Sequence, residues 1–338
     1  MVSLKDIAAA CGVSAATVSK ALNNMPDISE ETKLVVKDKA KEMGYFPNLA
    51  ARTLKTNRSY NIGILFTDET NSGLTHPHFA EVLESFKIQA ESRGYDITFI
   101  NNSSMAGQTQ MTYYEHCRYR GVDGVVIACI DFQRKEVLEL INSDMKIVTI
   151  DHIFNNSSSI ISDNVQGMKE MMEYILDQGH TRIAYIHGNN SAVTRDRLAS
   201  FYRTMEERGI EVREEYILEG KYNDPVKCST ITEKLLKLPE PPTCILYPDD
   251  YASIGGINVI RKAGLKIPDD ISVAGYDGIP MMRVMEPALT TVSQDRELLG
   301  KKAANQLIRL IERPKTTLQK IQTIPSKLYK GSTVKNIN

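Results

Sequence analysis

Five carboxylates and one guanidinium lie where a polar ligand could be held. Asp68, Asp151, Asp249, Asp250 and Asp277 each follow a short apolar run closely, and Arg197 comes soon after the run that ends at His187. Carboxylate and guanidinium groups pair adjacent hydroxyls in a bidentate way, which is how a cleft grips a sugar. An Asp in such a place also serves as an ordinary helix cap, so position alone leaves both roles open. Two facing carboxylates could imitate a glycosidase pair, but nothing singles out an acid and a nucleophile. No two glycines are separated by a single residue, so GxGxxG is absent, and GxSxG, a P-loop and HExxH are absent too. The cysteines Cys11, Cys117, Cys129, Cys228 and Cys244 are odd in number and far apart, so neither a CxxC metal site nor a paired disulfide framework is readable. That usage suits a reducing cytosol. The expectation is binding rather than catalysis, with no metal and no cofactor.

These residues need a scaffold, and the hydropathy pattern from Asn61 supplies one. Strands are expected at 62–66, 97–100, 124–128, 146–150, 182–187, 243–247 and 271–275. Amphipathic helices are expected at 79–93, 164–178, 192–208, 226–238 and 251–263. Alternation of this kind is the signature of an α/β body with parallel sheets. A closed eight-fold barrel competes, but the strand count and the late returning segments suit two open sheets better. In open parallel sheets ligands bind beyond the carboxyl ends of the strands, where the charged residues above fall.

The first 60 residues differ in kind. They hold nine Lys/Arg against six Asp/Glu, whereas the whole chain of 338 residues is nearly balanced at 41 against 42. A basic head on an acidic body hints at a local nucleic-acid contact. No run of about 18 apolar residues occurs, which argues against a spanning helix. Only ten residues precede Cys11, without a basic leader, so its likeness to a lipoprotein cleavage site is set aside. Ser3 caps a first helix carrying Ile7, Ala8 and Cys11 on one face. Gly12 turns the chain, Ser14 opens a second helix, and Val13 and Val18 are spaced as a hydrophobic staple. A third helix, capped by Ser29, sets Val36, Ala40 and Met43 on one face and stops at Gly44. This is helix-turn-helix spacing. It exposes Ala15, Ala16, Thr17, Ser19 and Lys20 at the end that enters a major groove, with Asn23 following. Ala15 and Ala16 can offer only methyl contacts to thymine, so Thr17, Lys20 and Asn23 are the polar candidates.

Lys5-Asp6-Ile7-Ala8, the run Gly12 to Asn23, and Gly44-Tyr45-Phe46-Pro47-Asn48 through Leu54 closely resemble the head of the lactose-repressor (LacI/GalR) family. The resemblance extends over essentially the whole chain. It implies a helix-turn-helix head at 1–47 and a hinge helix and linker at 48–60, with Asn48, Ala51, Leu54 and Lys55 toward DNA. Leu54 takes the place of the family's minor-groove wedge. It implies a two-lobed body resembling periplasmic binding proteins, lobe one being 61–161 plus 291–322 and lobe two 162–290 plus 323–338. The segment Thr194 to Phe201 aligns with the family stretch whose arginine grips the effector, placing that role on Arg197. Asp270-Ile271-Ser272-Val273-Ala274-Gly275-Tyr276-Asp277 matches D-I-S-V-x-G-Y-D, whose last Asp is an effector ligand. Pro287 to Asp295 matches the P-x-L-T-T-[VI]-x-Q-D crossover and puts Gln294 near the cleft floor.

Asp151 and Asp249, nominated by their places after strands, and His78 complete the candidate effector site. Asp249 stands where many members have Asn, and the loop 67–77 is longer than usual, bringing His76 and His78 to the rim. His78 sits where an aromatic often stacks on the ligand. The implied protein is a cytoplasmic homodimeric repressor on pseudo-palindromic double-stranded operator DNA, switched by a small carbohydrate, with no membrane partner. A sugar receptor without DNA binding and a sugar-active enzyme are the alternatives. Operator gel shifts separate the first from the repressor, and turnover of a bound sugar would identify the second.

Overall fold

The computed structural model describes residues 2–46, 53, 58–67, 73–102 and 110–338. Asn48, Ala51, Leu54, Lys55 and Asp68, for which roles are expected, lie outside them, as does most of the hinge. The chain divides into two compact units, Met1–Ser59 and Tyr60–Asn338.

The first unit holds helices α1 (Leu4–Cys11), α2 (Ala15–Leu22) and α3 (Glu30–Glu42). Ser3 and Asp6 form a reciprocal capping box at α1, so two orphan amide donors are satisfied at once. Gly12 takes φ 68°, a left-handed turn that a side chain would strain. Ser14 and Ser29 cap the next two helices. Ile7, Ala8, Val18, Ala21, Val36 and Ala40 are buried together, with Val13 packed on them, as the staple spacing implies. Small alanines at the crossing let three short helices share one core that none could sustain alone.

The second unit contains two six-stranded sheets. The first has the order β11-β5-β4-β3-β1-β2, where β1 is Asn61–Phe66, β2 Asp96–Phe99, β3 Gly124–Ala128, β4 Ile147–Ile150, β5 Ser158–Ser162 and β11 Ile321–Ile324. The second has the order β12-β10-β9-β8-β6-β7, where β6 is Ile183–His187, β7 Ile217–Glu219, β8 Cys244–Leu246, β9 Ser272–Asp277, β10 Thr290–Gln294 and β12 Ser326–Tyr329. Among the described residues all pairings are parallel except β10 with β12. Two open sheets are therefore present, as expected in place of a barrel.

Helices α4 (Phe79–Glu91), α5 (Tyr113–Arg120), α6 (Lys135–Ile141) and α12 (Arg296–Glu312) serve the first sheet. Helices α7 (Asn164–Asp177), α8 (Ala192–Glu207), α9 (Pro225–Leu236), α10 (Asp250–Lys262) and α11 (Pro280–Arg283) accompany the second. Leu299, Ala303, Leu307 and Ile308 of α12 join Val82 and Phe86 of α4 in the first core. The return to the first lobe thus begins at α12 rather than at 291, because Thr290–Gln294 pairs with β9 in the second sheet. It ends at Ile324 rather than at 322, because β11 pairs with β5. Among the described residues three crossings join the lobes, near 162, 295 and 325.

Candidate functional site

The parallel registers bring the carboxyl ends of β4, β8, β9 and β10 to one cleft. Asp277 closes β9 with φ 103° and Asp151 follows β4 with φ 56°, so both backbones turn abruptly where their carboxylates emerge. Left-handed conformations cost side chains little for Asp and Asn, which is why Asp is suited to such corners.

Arg197 is the centre of the site. It projects from α8 and is 3% exposed. Its Nε donates to Asn164 Oδ1 at 2.9 Å and its Nη1 to the Pro248 carbonyl at 2.9 Å. The guanidinium carbon lies 3.5 Å from the Tyr276 ring centroid, and Nη2 is 4.0 Å from Asp277 Oδ1. Two edges of the fork are committed to protein, one face is stacked, and the Nη2 end is left toward Asp277. Gln294 Nε2 donates to Asp277 Oδ1 at 2.6 Å, tying the β10 end to the β9 end. Arg296 Nη1 donates to the Asp277 carbonyl at 2.6 Å and its Nε to Glu81 Oε2 at 2.6 Å, linking α12 and α4 to the strand end.

His78 is 5% exposed and its Nδ1 lies 4.0 Å from Asp277 Oδ1. Burial drives its pKa down to about 4 against the pull of Asp277, so the ring is neutral near pH 7. It is buried rather than at a solvated rim, and its ring meets Phe79 edge-on at 4.9 Å. Asp151 Oδ1 accepts from Ser162 N at 2.9 Å. Burial raises its pKa to about 6, partly offset by that bond and by Arg197.

Asp249 and Asp250 turn out to be anchored. Asp249 caps α10, with one oxygen accepting from Ala252 N at 2.7 Å and the other from Asn223 N at 2.7 Å. Burial, then Asp277, raises its pKa to about 7. Asp250 is fully buried and accepts from Thr291 Oγ1 at 2.6 Å and Ile279 N at 2.7 Å. It packs so closely on Gly275 that a Cβ there would collide with its carboxylate. Arg197, Asp277, Gln294 and His78 thus come together, Asp151 stands beside them, and Asp249 is held by its bonds to Ala252 and Asn223. Reading the sequence did not single out Tyr276, Asn164 or Arg296. Tyr276 had a signal, since it directly precedes Asp277 in a matched run. Asn164 and Arg296 had none, because their partners are remote in sequence.

In the head, Ala16 and Lys20 are exposed on α2, and Ala15, Thr17 and Ser19 are half-buried. The polar candidates are engaged locally. Thr17 Oγ1 is 2.9 Å from Ser14 Oγ, Lys20 Nζ is 2.5 Å from Asp27 Oδ2, and Asn23 Nδ2 donates to the Ser19 carbonyl at 2.7 Å.

Comparison with known proteins fits this division. Residues 3–48 match the model of bacterial regulatory proteins of the lacI family, and residues 172–334 match that of the periplasmic binding protein-like domain. The probable HTH-type transcriptional repressor ExuR of Bacillus subtilis is 32% identical over 325 residues, 95% of either chain. The HTH-type transcriptional repressor PurR of Actinobacillus pleuropneumoniae is 31% identical over 344 residues, the full length of both. Among solved structures, the Lac repressor dimer bound to operator and the anti-inducer ONPF superposes with a TM-score of 0.79 at 26% identity, over 99% of each chain. A CelR–cellobiose complex, at 22% identity and a TM-score of 0.71 over 98% of this chain and 100% of that one, shares the fold.

Proposed function

The chain belongs to the lacI family of bacterial regulatory proteins, and we propose that it is a repressor whose hold on operator DNA is switched by a small carbohydrate in the cleft around Arg197. The observation that carries the reading is the pairing, on one chain, of a helix-turn-helix head with a buried arginine–carboxylate cleft. The relatives are named as transcriptional repressors, which sets aside the enzyme and the receptor without DNA binding.

The head acts as a symmetric pair. Two copies of the chain present two α2 helices to successive major grooves of a pseudo-palindromic duplex, as the Lac repressor dimer is bound to its operator. Lys20, Thr17, Ser19 and Asn23 supply polar contacts and Ala15 and Ala16 apolar ones. Asn48, Ala51, Leu54 and Lys55 act at the minor groove, Leu54 as a wedge. The setting is the cytoplasm, where operator DNA is found, and among the described residues no helix is long and apolar enough to cross a membrane.

In the cleft, Arg197 donates from its remaining edge to vicinal oxygens, while Asp277 and Asp151 accept from hydroxyls. Gln294 and Arg296 hold the Asp277 strand end in place. Because Arg197 and Asp277 belong to one lobe and Asp151 and His78 to the other, a ligand contacting both favours approach of the lobes. Only such differential contact can shift a two-state equilibrium. The lobe movement alters how two first lobes face each other, and hence whether the hinges can pair. Release of DNA by the effector is the expected direction. Titration of an operator selected from randomised duplexes, with and without a sugar that stabilises the protein, tests the reading.

A further inference from the structure

The cleft carries more negative charge than its cation can match. Asp151 comes from the first lobe, and Asp249, Asp250 and Asp277 come from the second. Asp249 and Asp250 each have both oxygens already bonded within the second lobe. The remaining two, Asp151 and Asp277, stand at the carboxyl ends of β4 and β9 in opposite lobes, and Asp277 adds to the burial that raises the Asp151 pKa. Among the described residues, Arg197 is the guanidinium whose Nη2 end faces Asp277, 4.0 Å from its Oδ1. Arg296, the other nearby guanidinium, gives its Nε to Glu81, so its charge is already matched.

A second feature points the same way. Among the described residues His78 Nδ1 is buried without a hydrogen-bond partner, and it lies 4.0 Å from Asp277 Oδ1. A neutral imidazole nitrogen suits a hydroxyl or an ammonium group, and it offers no positive charge to an anion. Burial keeps that ring neutral.

We propose that the cleft selects against negative charge, so that its effector is a neutral polyol ring or one bearing an amine, and that sugar acids and sugar phosphates are refused. This deepens the reading of the cleft as the effector site and rests on it. An anion would have to approach Asp151 and Asp277 with one guanidinium as counter-charge. Like charges at such separations are strongly disfavoured away from bulk water, so the discrimination should be at least about tenfold in affinity.

The test is a matched series on the full chain near pH 8, first by thermal shift and then by calorimetry. Glucose, glucosamine, glucuronate and glucose 6-phosphate form one set, and the corresponding galactose compounds another. The expected result is that a neutral or amine member binds and its acid and phosphate counterparts bind at least about tenfold more weakly. A uronate or phosphate that binds more tightly than its neutral counterpart overturns the proposal while leaving the carbohydrate reading intact. Failure of every member, with operator binding preserved, removes the carbohydrate reading and this proposal with it. In Asp151→Asn the disadvantage of the acids should shrink by at least about threefold, since one repelling charge is gone. Asn keeps an oxygen for Ser162 N and tolerates φ 56°, so the variant should fold. An unchanged ratio in that variant shows that the cleft carboxylates do not set the selection.

Discussion

The guanidinium carbon of Arg197 lies 3.5 Å from the centre of the Tyr276 ring. The ring, Asn164 Oδ1 and the Pro248 carbonyl fix the group on three sides, so little freedom remains to be lost when a ligand arrives. Lysine cannot reproduce a stacked planar fork.

Arg197→Lys should therefore behave nearly as badly as Arg197→Ala toward the effector. Both should lose about 2–4 kcal/mol of affinity, because charge-assisted bonds are lost and a preorganised donor edge disappears. Operator affinity without ligand should stay within about threefold of wild type, since Arg197 lies in the body. Calorimetry for the sugar and anisotropy for the operator read the two quantities separately.

Asp249 gives the chain a pH signature. Its carboxyl is raised to about 7 by burial and then by Asp277, against about 3.9 for an unfolded Asp. A raised folded pKa means that ionisation is penalised in the folded state. Stability is lost as pH climbs from the unfolded value to the folded one, and is constant above it. Asp249→Asn keeps one cap acceptor and removes the titration. Its melting temperature should match wild type near pH 4, up to the lost bond to Asn223 N, and gain on it by several degrees by pH 8. The difference between the two chains is the quantity to follow, because His78, lowered to about 4, contributes with opposite sign to both. Equal slopes from pH 4 to 8 contradict the assignment.

Lys20 is held by Asp27 at 2.5 Å, on a side of the head expected to meet phosphate or bases. Contact with DNA must break or share that pair. Asp27→Asn should raise affinity for random duplex a few-fold at low salt and leave base preference unchanged. Lys20→Ala should reduce the salt slope by about one if it meets phosphate, or lose affinity at a single base position if it reads an edge. Neither change in Lys20→Ala would put the side chain on a solvent face.

Leu54→Ala tests the wedge. Operator affinity should fall by about 1–3 kcal/mol as a kinked minor groove loses its apolar filler, with sugar binding unaffected. Gel-shift titration against a strong operator reads this directly, and unchanged affinity excludes the role.

Much of this architecture was legible in local signals. Gly124–Ala128 coincides with the expected strand because its run of Val and Ile lies between a turn bearing Gly121 and Asp123 and a segment bearing Asp131. The head was readable for a similar reason, since Ser3, Gly12, Ser14 and Ser29 are local caps and turns. What escaped depends on distant partners. Strands Ile217–Glu219, Thr290–Gln294 and Ser326–Tyr329 are short or polar, and the sheet beside them makes them strands. The anchoring of Asp249 by Asn223 and of Asp250 by Thr291 likewise joins residues far apart in the chain. So the residues of the cleft could be nominated, whereas the division between those free to meet a ligand and those used as struts could not.

The central claim is that one chain couples the cleft around Arg197 to the DNA-binding head, and a paired operator titration tests it most directly. Fluorescence anisotropy on a selected pseudo-palindromic operator is measured for wild type and Arg197→Ala, each with and without a sugar shown to stabilise the wild-type protein. The account predicts that the sugar changes wild-type operator affinity by at least about fivefold, the usual lower bound of allosteric coupling, and leaves Arg197→Ala bound as before. Equal response of the two proteins to that sugar would contradict it, because the switch would then lie outside this cleft.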